Sequence, residues 1–227
     1  ADISISRRLV EFFSNIGFPA VIMTEESGRI VTGKDLEISV MIDDIDGTDN
    51  YFRGRGVLPH STIICIFDSP EPRQSDAVVA GNLDYLRGDV CLASRGRGCF
   101  LNGKAVKTSG REVLDRGTSV VLDSYAIKDK VSLLSRLYRD AWVKDFGASG
   151  FHLAGVASGM FDAYFSFNHG FFELPAGYLM VKEAGGAVLD LDGKDMGYAR
   201  VDFESKADFV AAATKGLAER VLERVGR

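Results

Sequence analysis

Residues 40–51, VMIDDIDGTDNY, set three apolar residues (Val40, Met41, Ile42) directly against four aspartates (Asp43, Asp44, Asp46, Asp49). An apolar run of this kind reads as the end of a buried strand. Carboxylates so close together repel one another, and the repulsion grows steeply away from bulk water. A cation of high charge turns that repulsion into attraction. The stretch therefore points to a metal-binding loop at the end of a strand, with an acidic turn as the plain alternative.

The rest of the chain limits what such a loop serves. Its 227 residues suffice for one large domain or two small lobes sharing a cleft. With 46% apolar and 26% charged residues, the composition is that of an ordinary globular protein. A net charge of −5, without a basic tail or arginine-rich helix, argues against nucleic acid as the main ligand. No apolar run reaches bilayer length and no signal peptide is visible, so neither a membrane partner nor export is expected. Cys65, Cys91 and Cys99 lack metal-site spacing and read as reduced thiols, which fits a cytoplasmic location.

Asp2 can cap a helix whose apolar face holds Ile5, Leu9, Phe12, Phe13 and Ile16, ended by Gly17 and Pro19. Strands are predicted at 20–23, 37–43, 61–67, 76–84 and 89–94, with a hairpin turn at Asn102–Gly103 and a poorly ordered loop DSPEPRQSD. After about residue 115 the pattern alternates. Strands are predicted at SVVLDSY, WVKDF, FDAYFSF, AVLDL and DFVAAA, and helices at 129–139, 149–158, 174–184 and 215–226. An antiparallel first half (1–114) and an alternating second half (115–227) imply a layered α+β/α/β unit with the site between the halves.

Two phosphatase signatures overlap in the opening stretch. DIDGT at 44–48 matches the nucleophile motif of haloacid-dehalogenase-like phosphatases, in which Asp44 would attack phosphorus. Shifted by one residue, DDIDGTDNY at 43–51 resembles the D-P-I-D-G-T-T-N-F motif of the inositol monophosphatase family. Further parts of that family pattern follow in order. MTEESG at 23–28 resembles its G-E-E-S element, and ADISISRRLVEFF resembles its T-x-x-D-x-x-x-E helix start. KDFGASGFHLAGVASGMFDAYF at 144–165 and FFELPAGYLMVKEAGG at 171–186 resemble its two late motifs. The downstream lysine and late acidic loop of a dehalogenase-like enzyme are lacking, LDLDGKD at 189–195 having the wrong pattern. The chain is identified as a member of the inositol monophosphatase family.

The resemblance implies an αβαβα sandwich, a homodimer, lithium inhibition and two or three Mg2+ ions per site. By the same resemblance Glu25, Asp43, Asp46, Glu173 and the Ile45 carbonyl hold metal. Glu25, Thr48 and Asp2 would activate the attacking water, with Asp2 orienting Thr48. Asp46, Gly47, Thr48, Lys144, Ser149 and Glu173 would meet the substrate, a small phosphorylated polyol or sugar such as inositol monophosphate or fructose 1,6-bisphosphate. Oxygen-only ligands on loops after strands suit Mg2+ on chemical grounds as well. Asp44 and Asp49 replace the family's proline and second threonine and are expected to face solvent. Phe172–Glu173 replaces Trp-Asp, so a longer side chain must reach the second metal. Ser166 stands where inositol-specific relatives carry an acid. Some members act through protein or RNA partners, and a regulator with weak or no activity is the alternative to a phosphatase. Residues read as having no part in the site are His60, His152 and His169 (structural or surface), Trp142 (core) and the RGRG stretches at 53–56 and 95–98, where Arg53 or Arg55 could reach a second phosphate.

Overall fold

The computed structural model describes residues 2–123, 131–170, 172–202 and 206–226, and within these not the side chains of residues 2, 3 and 131–134. Eight strands build a first sheet: β1 (Ala20–Thr24), β2 (Gly28–Thr32), β3 (Ile38–Asp46), β4 (Ser61–Phe67), β5 (Ala77–Asp84), β6 (Asp89–Ser94), β7 (Gly98–Leu101) and β8 (Lys104–Val106). Their spatial order is β2-β1-β3-β4-β5-β6-β7-β8, antiparallel throughout except where β1 runs parallel to β3. Five strands build a second sheet: β9 (Ser119–Leu122), β10 (Trp142–Lys144), β11 (Ala163–Gly170), β12 (Ala187–Asp190) and β13 (Lys206–Ala212), ordered β10-β9-β11-β13-β12.

Burial periodicity explains where the helices go. Helix α1 (Asp2–Asn15) lays Phe13 on Ala20, Ile22, Val40 and Ile42, covering the outer face of the first sheet. Helices α4 (Ser149–Ala157) and α5 (Leu174–Glu183) are buried almost all round, as helices of a central layer must be. Between the sheets, Leu153, Val156, Leu174 and Met180 pack on Met41, Ile63 and Phe67 on one side and on Tyr164 and Phe209 on the other. Helices α3 (Val131–Asp140) and α6 (Lys215–Val225) cover the far face of the second sheet, Leu137, Leu217 and Val221 meeting Val120, Phe165 and Val210. The order of layers is αβαβα. Among the described residues no helix is long and apolar enough to cross a membrane.

The sequence expectations hold for most elements and fail where local pattern is weak. Phe12 and Ile16 are exposed, because the inward face of α1 runs through Ser6 and Phe13. β2, a short edge strand of half-buried residues, had no apolar signal of its own. The 68–76 loop contains a 3-10 turn, Gln74–Asp76, whose Gln74 is fully buried and donates its backbone N–H to the Ala199 carbonyl. Trp142, expected in the core, lies on edge strand β10 and is 68% exposed. Asn102 and Gly103, both at positive φ, form the expected turn between β7 and β8.

Leu153 is fully buried in the central layer, so Leu153→Ala should cost about 2–5 kcal/mol of stability. Urea unfolding of the variant against the parent measures it; a loss below about 1 kcal/mol would mean the central layer collapses around the gap.

Candidate metal centre

Side chains on β3 alternate, Val40 and Ile42 toward α1, Met41 toward the central layer. Unbroken alternation would send Asp43 and Asp46 to opposite faces. The register against β4 slips between them: Asp43 pairs with Ile63 and Asp46 with Ser61, three steps against two. This bulge turns both carboxylates into one cavity of about 620 Å3, also lined by Glu25, Gly47, Asp123, His169, Glu173 and Lys206. Asp44 is 1% exposed and does not line the cavity, contrary to the expectation of a solvent-facing residue. Alternation along β3 puts it on the same side as Ile42.

Asp46 is held by the start of α4. Its Oδ1 accepts from Ser149 N (2.8 Å), and its Oδ2 accepts from Gly150 N (2.9 Å) and Ser61 Oγ (3.0 Å). The approach needs Gly150: a Cβ there would lie 2.1 Å from Ile63 Cδ1 and 2.8 Å from Asn82 Nδ2. Helix α2 (Thr48–Arg53) begins right after Gly47, whose φ of 79° favours glycine and whose added Cβ would stand 3.1 Å from Pro59 O. Asn50 ties α2 to the loop before α4, its Nδ2 donating to Pro59 O (2.8 Å) and Phe146 O (2.6 Å).

Glu173 precedes α5 and makes no cap bond, which leaves its carboxylate for the cavity. Ligand oxygens of Asp43, Asp46 and Glu173 lie within 4.8 Å of one another. At an effective dielectric of about 20, charges at such a spacing repel by roughly 3 kcal/mol per pair. Burial, then Glu173, Asp46, Glu25 and Asp44, raise the Asp43 carboxyl well above its usual range. Burial and Glu173 push Asp46 up to about 7, against its bonds from Ser149, Ser61 and Gly150. Asp43 Oδ1 is buried without a hydrogen-bond partner among the described residues. Three hard oxygen donors that oppose one another's ionisation, one with an open acceptor, fit a divalent cation such as Mg2+.

A second cluster, Asp123, Asp145 and His152, also brings potential ligand atoms within 4.8 Å. The hydrogen bonds argue against metal there. Phe146 N donates to His152 Nε2 (3.1 Å), so the ring proton sits on Nδ1, which faces Asp123 Oδ1 at 3.4 Å. Asp123 is further held by Tyr164 Oη and by Ser166 Oγ (2.8 Å), and its Oδ2 lies 3.5 Å from His169 Nδ1. Two hydroxyls donate to this carboxylate, and two imidazole nitrogens face it at 3.4 and 3.5 Å. Its pKa falls far below the usual range, burial being outweighed by His152 and His169. Asp123 is an anchor whose Oδ2 is already held by two hydroxyls.

The structure brings together most of the residues the sequence singled out. Glu25 is exposed at the cavity edge, in the β1–β2 turn that Ser6 of α1 fastens through Thr24 Oγ1 (2.9 Å) and Ser27 Oγ (2.8 Å). Thr48 Oγ1 donates to the Ile45 carbonyl (3.0 Å), joining two expected site atoms directly. Ser149 lines the cavity, but its amide serves Asp46. Asp2 begins α1, and its side chain lies outside the described residues. Lys144 departs from expectation: it does not line the cavity, and its Nζ donates to Ser119 Oγ (3.0 Å) while lying 5.0 Å from the Trp142 ring centre. Lys206 lines the cavity instead. Exposed Asp49 pairs with Arg53 (3.6 Å), and neither Arg53 nor Arg55 lines the cavity. Of the histidines read from sequence as structural or surface, His169 lines the cavity, while His152 is fully buried and does not line it.

A family model described as the inositol monophosphatase family matches residues 2–227. The chain belongs to the inositol monophosphatase family. A relative from Pseudomonas aeruginosa named Nus factor SuhB is 35% identical over 204 residues, covering 86% of this chain and 70% of the relative. An inositol-1-monophosphatase from Caulobacter vibrioides is 27% identical over 232 residues, covering 99% and 85%. Among solved structures, an IMPase/NADP phosphatase complexed with Mg2+ and phosphate superposes with a TM-score of 0.80 at 20% identity, covering 99% of this chain and 80% of that one, and so shares the fold. Family membership, with Asp44 outside the cavity, sets aside the dehalogenase-like reading.

Asp46, raised from 3.8 to about 7, keeps a proton in the metal-free folded chain that the unfolded chain has lost. Its contribution to stability therefore falls as pH rises from 3.8 through about 7. His169 is pushed from 6.5 to about 10 because Glu173 and Asp123 outweigh burial, and its favourable contribution is lost as pH rises through that window. A divalent cation that binds the ionised cluster should thus raise the thermal midpoint more at about pH 8 than at about pH 5. Differential scanning with and without Mg2+ at the two pH values checks this; an equal shift at both would contradict it.

Proposed function

We propose that the chain is a Mg2+-dependent phosphomonoesterase acting on a small phosphorylated polyol or sugar, with inositol monophosphate and fructose 1,6-bisphosphate as first candidates. The observation that carries this is the convergence of Asp43, Asp46 and Glu173 within 4.8 Å in a cavity of about 620 Å3. When bound, a divalent cation there supplies Lewis-acid stabilisation of phosphoryl charge and lowers the pKa of an attacking water. The chain's own residues do the rest. The α4 amides fix the Asp46 carboxylate, the Ile45 carbonyl holds the Thr48 hydroxyl beside the ligands, and Lys206 brings a positive charge to a cavity lined with carboxylates. No cysteine or histidine nucleophile is required.

The substrate reading stays broad for a structural reason. Ser166 is fully buried and donates to Asp123, so this position offers no acidic group to a polyol ring. A homodimer remains part of the proposal; exposed Phe52, Val57 and Leu58 would supply an apolar contact. The name of the Pseudomonas relative, Nus factor, favours a second reading in which the chain acts as a regulator with little or no hydrolysis.

A panel of phosphomonoesters assayed with and without Mg2+ separates the two. We expect Mg2+-dependent release of phosphate, nearly abolished by Asp43→Asn, while Asp44→Asn keeps much of it per folded molecule because Asp44 faces away from the cavity. Hydrolysis of none of the panel would favour the regulator. An active Asp43 variant beside a dead but folded Asp44 variant would overturn the assignment of ligands.

A further inference from the structure

Glu173 poses a problem that its neighbours solve. A glutamate has one more rotatable bond than an aspartate, and fixing it beside two other carboxylates costs conformational entropy as well as repulsion. Its Oε2 lies 3.2 Å from His169 Nε2, four residues earlier at the end of β11. The His169 ring cannot drift. It is 8% exposed and packs edge-on against Phe209, with ring centres 5.5 Å apart. Its other nitrogen, Nδ1, lies 3.5 Å from Asp123 Oδ2, the carboxylate anchored by Tyr164, Ser166 and His152.

The backbone is shaped for this contact. The pairing of β11 with β13 shifts register between Ser166 and His169, and Asn168 adopts a φ of 52° with its amide donating to Asp208 Oδ1 (2.7 Å). This irregularity carries His169 to the cavity wall, where the ring joins Asp123 to Glu173.

We propose that His169, clamped by Asp123, is a positioning residue that holds the Glu173 carboxylate toward Asp43 and Asp46 for metal binding. The proposal rests on the metal-dependent reading above. One oxygen of Glu173 lies within ion-pairing distance of the buried imidazole, and the other stays available to the cluster. In the same way, an outer partner fixes a metal-ligating side chain and is worth about 10–100-fold in affinity. The longer glutamate thus works in place of an aspartate because a rigid imidazole beside it takes up its extra freedom.

The test uses the full chain stripped of metal, with Mn2+ as the probe in isothermal titration calorimetry. His169→Met fills similar space without a donor and should weaken Mn2+ binding about tenfold or more. His169→Gln retains a donor and should recover most of that loss in Mn2+ affinity. The Mg2+ concentration for half-maximal hydrolysis should rise in His169→Met by a similar factor, with little change in KM for the phosphomonoester. If His169→Met does not fold, the comparison passes to Glu173→Asp alone and with His169→Gln, where the shorter carboxylate should depend on His169 less. Parent-like Mn2+ affinity in His169→Met, alongside weakened binding in Glu173→Gln, overturns the positioning role and leaves the metal site standing. Failure of the parent chain to bind Mn2+ in a manner sensitive to Asp43→Asn overturns the metal reading itself, and the proposal with it.

Discussion

Mutual repulsion among Asp43, Asp46 and Glu173 is the constraint around which this part of the molecule is organised. Carboxylates within 4.8 Å of one another, two of them buried, oppose their own ionisation, and burial and mutual charge raise Asp43 and Asp46 accordingly. The fold nevertheless delivers them to one cavity from two distant parts of the chain. A bulge in β3 brings Asp43 and Asp46 to the same face, the first turn of α4 grips Asp46, and Glu173 arrives just ahead of α5. Since α4 and α5 form the layer between the sheets, the packing that makes the core also sets the distances in the site. Stability and metal affinity are linked for that reason.

Much of the architecture is legible in the sequence because periodicity and burial agree. β4 alternates buried and half-buried residues over its whole length, and α6 carries a single buried face. What escapes is structure fixed by partners far away in the chain. The face of α1 depends on where the first sheet lies, so Phe12 and Ile16 look inward by spacing but are exposed. β2 exists because β1 offers an edge to pair with.

The site divides along the same line. The aspartates, Gly47, Thr48 and Glu173 announce themselves by residue type and order, since hard oxygen donors and a glycine at positive φ leave few alternatives. Their supports do not. Gly150 is needed only because Ile63 and Asn82 crowd it, and Asn50 bridges to Phe146, 96 residues away. Asp123 and His169 gain meaning only once β9 and β11 lie side by side. Lys144 is the converse case, a residue of the right type whose strand turns it toward Ser119 and Trp142. Asp46 shows that one extra residue in a bulge reassigns the faces of a strand, and Asp44, expected to face solvent, is buried.

The central claim is that the cation belongs between Asp43, Asp46 and Glu173 and not at the neighbouring Asp123, Asp145 and His152, where the hydrogen bonds already fix the imidazole proton on the nitrogen facing Asp123. Crystals of the chain grown with Mn2+ and measured for anomalous scattering test it most directly. The account predicts an anomalous peak within bonding distance of the Asp43, Asp46 and Glu173 carboxylates and none beside His152 Nδ1. A peak at His152 with none at Asp43 would contradict it.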